Sequence, residues 1–210
     1  MKKILSVILI LTLIFVMSLA PFAEEVASQK EEVVYGILDP EGRVKNIYVV
    51  NIFGDGNITD YGNYENVRNM TTSEKISQKG DKINIKTSAD RLYYEGTIEK
   101  KELPWNIDIE YRLDGKKITG TELAGKNGAL EIKIAVDRNP EINSMFFDNY
   151  TLQIALSLDT KLAKNIKSNN ATVAEVGSKK QLTYTILPGQ GADILVTADV
   201  KDFEADAITI

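Results

Sequence analysis

Apolar and polar residues alternate with a period of two along most of this chain, the pattern of strands with one dry and one wet face. From Trp105 to Leu113, the residues Trp105, Ile107, Ile109, Tyr111 and Leu113 fall on one side and Asn106, Asp108, Glu110 and Arg112 on the other. The alternation recurs from Leu130 to Val136, Leu152 to Leu158, Leu182 to Ile186 and Ile194 to Val200, and such half-wet strands belong to antiparallel sheets. The runs are punctuated by Asp39-Pro40-Glu41-Gly42, Asp55-Gly56, Asp114-Gly115, Asn127-Gly128, Gly177-Ser178 and Pro188-Gly189. Asn-Gly and Asp-Gly supply the positive φ angles of tight turns. This spacing predicts an all-β fold, with an antiparallel, immunoglobulin-like β-sandwich over residues 101–207.

Upstream, Val33 to Leu38 and Val44 to Phe53 read as a hairpin whose second strand is apolar on both faces, which predicts a central, buried position. A polar, Asn- and Gly-rich excursion from Gly54 to Lys79 follows, and the runs Lys82 to Thr87 and Leu92 to Glu99 then complete a smaller N-terminal β module over residues 33–100. Two short connector helices are expected. One is at Pro140 to Phe147; the other is at Thr160 to Ser168, where Thr160 would cap and Leu162, Ala163 and Ile166 share a side.

The start of the chain breaks the alternation. Lys2 and Lys3 precede an apolar run from Ile4 to Leu19, which ends at Pro21 and the acidic pair Glu24-Glu25. That order reads as a secretion signal over residues 1–23, followed by a polar linker over 24–32. The run is shorter than the roughly 20 residues of a membrane span. Pro21 spoils the cleavage context after Ala20 or Ala23, so an uncleaved tether is the alternative to a shed product. Membrane contact is then expected only through this segment.

Composition narrows the chemistry. Removing residues 1–23 leaves 23 Lys and Arg against 30 Asp and Glu, and an acidic domain without a basic stripe argues against nucleic acid and anionic lipid as partners. The chain has neither Cys nor His. Disulfides, a lipidated cysteine, Ser-His-Asp hydrolysis, Cys-His proteolysis and typical zinc sites are therefore excluded, leaving carboxylate, Lys or Tyr chemistry and calcium.

Asp108 and Glu110 share one strand face about 7 Å apart, near the separation of paired glycosidase carboxylates. Alternating strands carry charge on their wet face in any case, and Arg112 beside them would lower a carboxyl pKa where an acid catalyst needs it raised. Asp55, Asn57 and Asp60 gather oxygen ligands in a Gly-rich stretch as a weak calcium candidate. The stretch lacks the EF-hand spacing, with Asp60 where Gly and Asn66 where Glu would stand, which favours an Asx-rich turn. Tyr61, Tyr64, Phe146, Phe147 and Tyr150 are candidates for an aromatic contact patch, with core anchoring as the alternative. No catalytic residue, cofactor site or cofactor is expected.

Specific strings add a resemblance. Val33-Val34-Tyr35, Val44 to Asn51, Asp60-Tyr61-Gly62, Leu103-Pro104-Trp105-Asn106-Ile107, Leu113-Asp114-Gly115-Lys116, Glu122 to Lys126, Phe146 to Tyr150 and Leu187-Pro188-Gly189 resemble, in order and spacing, the N-terminal ectodomain of uncharacterised clostridial and other Firmicute exported proteins. The similarity runs from about Glu31 to Ala207. Longer members carry Leu/Gly heptad repeats and a membrane anchor, an arrangement similar to phage-infection-protein-like surface proteins. The resemblance implies a cell-surface or secreted location and supplies no catalytic residues. The expected function is a non-enzymatic interaction or structural module whose partner is an unknown protein or a cell-wall glycan. A carboxylate-dependent carbohydrate-active hydrolase is the alternative.

Overall fold

The computed structural model describes residues 30–210 apart from 101, 205 and 207. The secretion signal read over 1–23 lies outside the described residues, as does the linker up to residue 29. In chain order the strands are β1 (Lys30–Leu38), β2 (Val44–Phe53), β3 (Asn57–Tyr61), β4 (Asn66–Asn69), β5 (Ser77–Lys79), β6 (Lys82–Lys86), β7 (Leu92–Ile98) and β8 (Trp105–Leu113). They continue as β9 (Lys116–Ile118), β10 (Gly128–Arg138), β11 (Leu152–Asp159), β12 (Ala163–Ser168), β13 (Thr172–Val176), β14 (Lys179–Ile186), β15 (Ala192–Val200) and β16 (Ile208–Thr209). One helix, α1 (Ser144–Asn149), and a 3₁₀ turn at Thr121–Leu123 interrupt them.

The architecture is antiparallel all-β. An eight-stranded sheet in the order β13-β14-β11-β16-β1-β2-β7-β4 is covered on its inner side by two smaller sheets, β12-β15-β10-β8-β9 and β3-β6-β5. The alternation read from sequence sets the burial. Ile132, Ile134 and Val136 of β10 and Ile194 and Val196 of β15 meet Ile154, Leu156 and Leu182 from the eight-stranded sheet in the larger core. The smaller core lies under the three-stranded sheet and holds Phe53, Ile58, Ile83, Ile85, Leu92 and Tyr94.

The N-terminal hairpin belongs to both cores. Leu38 and Ile47 lie in the larger one and Phe53 in the smaller. β16 joins the segments by pairing with β1 through Ile37 and Leu38 and with β11 through Ala155. The β1–β2 turn is seated against β8. Asp39 accepts from the Glu41 and Arg43 N–H groups at 3.0 and 2.9 Å, and Gly42 at φ 87° brings its backbone so close to β8 that a Cβ would lie 2.6 Å from the Ile107 carbonyl oxygen. Only a residue free of Cβ strain at positive φ fits there.

Four expectations change. The linker read over 24–32 overlaps β1, which begins at Lys30 and in which Glu31 and Glu32 already pair with Ile52 and Asn51. The polar excursion holds β3, β4 and β5, whose few apolar residues, such as Ile58, face the small core. The central strand β2 is buried on one face only: Tyr48, Val50 and Ile52 are half-exposed on the other. The helix expected at Thr160 to Ser168 is instead a tight turn and β12. A bulge between Lys164 and Lys167, with Asn165 at φ 51°, inserts residues into the ladder. It sets Ala163 and Ile166 three apart on the core side, a spacing that imitates a helix. The other connector exists as α1 but starts at Ser144, where the Asn143 side chain accepts from the Met145 N–H at 2.9 Å.

Candidate functional site

The outward positions of β8, β10 and β15 form the open face of the five-stranded sheet. Register brings them into rows: Asp108 with Ala135 and Asp193, then Glu110 with Lys133 and Leu195, then Arg112 with Glu131 and Thr197. β9 adds Lys117 opposite Arg112. At the far side Asn169 fixes the loop after β12, accepting from the Leu195 N–H at 2.8 Å and donating to the Asp193 carbonyl at 3.2 Å. The result is a broad depression of about 780 Å³ lined by Asp108, Glu110, Lys117, Lys133, Asn169 and Asp193.

Its charges are mostly matched. Glu110 accepts from Lys117 Nζ at 2.9 Å and from Arg112 Nε at 2.8 Å. Those two cations hold its carboxyl at about 2. Glu131 is 3.4 Å from Lys133. Asp108 and Asp193 flank the small Ala135 from alternate strands, so their Cα atoms stand about 10 Å apart. A carboxylate held near 2 is ionised at any physiological pH and has no proton to donate, which removes Glu110 from general-acid chemistry.

The sequence placed Asp108 and Glu110 on one wet face, and they are there. Lys133, Asn169 and Asp193 were missed; Lys133 and Asp193 hold outward positions of alternating strands, but only register shows that they share rows with the two acids.

The calcium candidates lie elsewhere and serve local structure. Asp55 accepts from the Asn57 N–H at 2.8 Å in an Asx turn, and Asn57 and Asp60 belong to β3. Asp60 is bridged to Lys30 at 2.9 Å and accepts from the Tyr94 hydroxyl. Among the described residues, no group of three or more acids is placed to hold a metal ion. The aromatic candidates separate. Tyr64 stands edge-on to Tyr94 beside the small core, Phe147 is buried against Trp105, and Phe146 meets Tyr150 at a tilt at the surface, 5.3 Å between centroids. Tyr61 is exposed.

Pro188-Gly189 forms a turn in which the Gln190 N–H donates to the Leu187 carbonyl at 3.2 Å. It is not a hairpin, because it carries the chain from β14 in one sheet to β15 in the other. No helix among the described residues is long and apolar enough to cross a membrane. A scan against models of known families finds no match, and a search of curated proteins finds no similar chain.

Proposed function

We propose that this protein is an exported, non-enzymatic β-domain of the cell envelope that binds a protein or a cell-wall glycan on the open face of its five-stranded sheet. The observation that carries this reading is the depression over β8, β10 and β15, in which exposed carboxylates, lysines and an amide line a broad, accessible surface. Glu110 is held as a permanent carboxylate by Lys117 and Arg112. Mixed donors and acceptors of this kind orient hydroxyl- or amide-rich ligands. The Lys2-Lys3 start and the apolar run Ile4 to Leu19 support export, and the string resemblance supports an ectodomain role. The stretch from Trp105 to Val200 divides eight antiparallel strands, β8 to β15, between two facing sheets, which favours an immunoglobulin-like reading.

The test is retention of the purified protein on insoluble cell-wall glycan and on envelope proteins, with Asp108→Asn and Asp193→Asn as variants. Either variant should weaken retention at least about threefold without changing the melting temperature. Retention of both variants equal to that of the wild type, or wild-type release of reducing sugar that Asp108→Asn abolishes, would overturn the reading. Fractionation of the producing cells checks location, with the protein expected outside the cytoplasm.

A further inference from the structure

The eight-stranded sheet has its shortest strand in its middle. β16 pairs with β1 through Ile37 and Leu38 and with β11 through Ala155. The pairing closes at Gly36, whose N–H donates to the Ile210 carbonyl at 2.7 Å and whose carbonyl accepts from the Ile210 N–H at 3.0 Å. β1 runs on from Tyr35 back to Lys30, and among the described residues its strand partner there is β2 alone. β11 runs beside it back to Leu152, paired there with β14. Because β16 separates them by two strand spacings, about 9.6 Å, a slot one strand wide lies between Tyr35 and Gln153 and between Val34 and Leu152. It continues as an open edge along Val33 to Lys30. Main-chain groups along a strand point to alternate sides, and Gly36 turns both of its own toward β16. Val34, Glu32 and Lys30 therefore turn theirs into the slot. Exposure marks the same gap: Val34 stands on the core side, opposite the buried Val49, yet is 49% exposed.

We infer that this slot takes an extended segment of a partner polypeptide, which adds a strand antiparallel to β1 and β11. The inference does not rest on the export reading or on the open face of the five-stranded sheet. An unpaired row of N–H and C=O groups inside a sheet is a template for a strand, and neither a helix nor a glycan presents both groups at strand spacing. In such strand addition the main chain supplies affinity and alternate side chains supply selection. Counted from the end beside Ile210, the first residue of the incoming segment falls between Tyr35 and Gln153. The second falls on the core side between Val34 and Leu152, where an apolar side chain covers Val34. The third lies beside Val33, the fourth beside Glu32 and the fifth beside Glu31. Lys30 is already shared between Glu32 and Asp60 at 2.7 and 2.9 Å, and Glu31 makes no ion pair among the described residues. The far end of the slot is thus net acidic and selects a basic fifth residue.

The probe is a capped six-residue peptide with valine second and third, lysine fifth and threonine elsewhere, titrated into the protein and followed by amide NMR and hydrogen exchange. The expected result is new protection of the Val34, Glu32 and Lys30 amides. N-methylation of the peptide's second residue should weaken binding about tenfold, and glutamate in the fifth position about threefold, a preference that Glu31→Lys reverses. Val34→Pro removes an N–H that faces the slot and leaves the bonds to β2 to Val33 and Tyr35, so it should abolish binding while circular dichroism stays unchanged. If Val34→Pro unfolds, the methylated peptide tests the same bonds on the unaltered protein. No binding at millimolar peptide overturns the proposal, as does binding indifferent to N-methylation or mapped to β8, β10 and β15. Protection of the three amides without peptide also overturns it, because the slot is then already filled.

Discussion

The two inner cores of the eight-stranded sheet solve the same problem with different chemistry. Under the five-stranded sheet the packing is almost wholly aliphatic, and Ile134, Ile154, Leu182, Val136 and Val196 are closed to solvent. Under the three-stranded sheet six buried apolar residues are supplemented by polar side chains. Asn51, fully buried, donates to the Tyr64 hydroxyl at 3.1 Å, Tyr94 donates to Asp60, and Lys30 bridges Asp60 and lies over the Phe53 ring. The Tyr64 ring covers Gly96 of β7 so closely that a Cβ there would lie 2.5 Å from it. Three short strands bury too little apolar area to hold a sheet end alone. The smaller core compensates with directional bonds, which makes it specific, and costly to leave half-satisfied.

The largest expected effect separates the cores by cooperativity. Ile154→Ala or Ile134→Ala removes buried aliphatic volume from the larger core and should cost about 3–4 kcal/mol. Because Leu38 and Ile47 of the N-terminal hairpin share that core, the loss should appear as earlier urea unfolding of the whole chain. Ile83→Ala makes a comparable cavity in the smaller core. Hydrogen exchange should then show the three-stranded sheet opening while β10 and β15 stay protected; uniform loss of protection would mean that the two cores are one cooperative unit.

A smaller effect tests the polar compensation. Tyr94→Phe keeps the ring stacked near Phe53, 6.2 Å between centroids, but leaves Asp60 with Lys30 as its side-chain partner. The expected cost is about 1–2 kcal/mol, read as a fall in melting temperature, and Asp60→Asn should recover part of it in the Tyr94→Phe background.

Alkaline pH sharpens the contrast further. Burial raises the phenol pKa of Tyr64 and Tyr94, in the latter with the Asp60 hydrogen bond adding to it. In the larger core burial pushes Tyr111 up to about 12, helped by the nearby Glu41 and Asp39 carboxylates. A raised folded-state pKa contributes stability that is complete below the unfolded value, near 10, and is lost as pH rises through the folded value. Stability should therefore fall from about pH 10 upward. Both cores hold two such phenols, Tyr184 being the second in the larger one; the smaller core, with fewer buried apolar residues, should open first, and phenolate absorbance should rise together with loss of its amide protection.

Trp105 to Leu113 matches β8 residue for residue because its faces obey the alternation, and Val44 to Phe53 matches β2 because an apolar run of that length bounded by turn residues reads as a strand. The strands β3, β4 and β5 escaped because the information that makes them strands lies in their partners. Asn57 to Tyr61 offers one buried apolar residue, Ile58, and becomes a strand by pairing with Lys82 to Lys86. β12 escaped for the opposite reason, since its bulge produced a pattern that was regular but wrong. The candidate site was half legible. Alternation marks Asp108, Glu110, Lys133 and Asp193 as outward, yet nothing local says that β10 lies between β8 and β15, and that adjacency assembles the depression.

The smallest expected effect concerns charge placed over each core. Lys30 and Asp60 pair at 2.9 Å in a partly buried site, whereas Glu110 meets Arg112 and Lys117 on the open face at nearly the same distances. Lys117 and Arg112 depress the Glu110 pKa to about 2, so the pairs are intact above the ordinary carboxylate value and are lost as pH falls through about 2. Lys117→Met should move the Glu110 titration upward by carboxyl-carbon NMR, and Arg112→Met should do the same. Neither should shift the melting temperature at neutral pH measurably, because exposed ion pairs are screened by solvent and contribute little to folding. Added salt should erode the Glu110 shift and leave the Lys30–Asp60 pair largely unaffected. If Lys117→Met instead lowered the melting temperature as much as Tyr94→Phe, the open face would be part of the fold's structural support, and its use as a binding surface would lose its main argument.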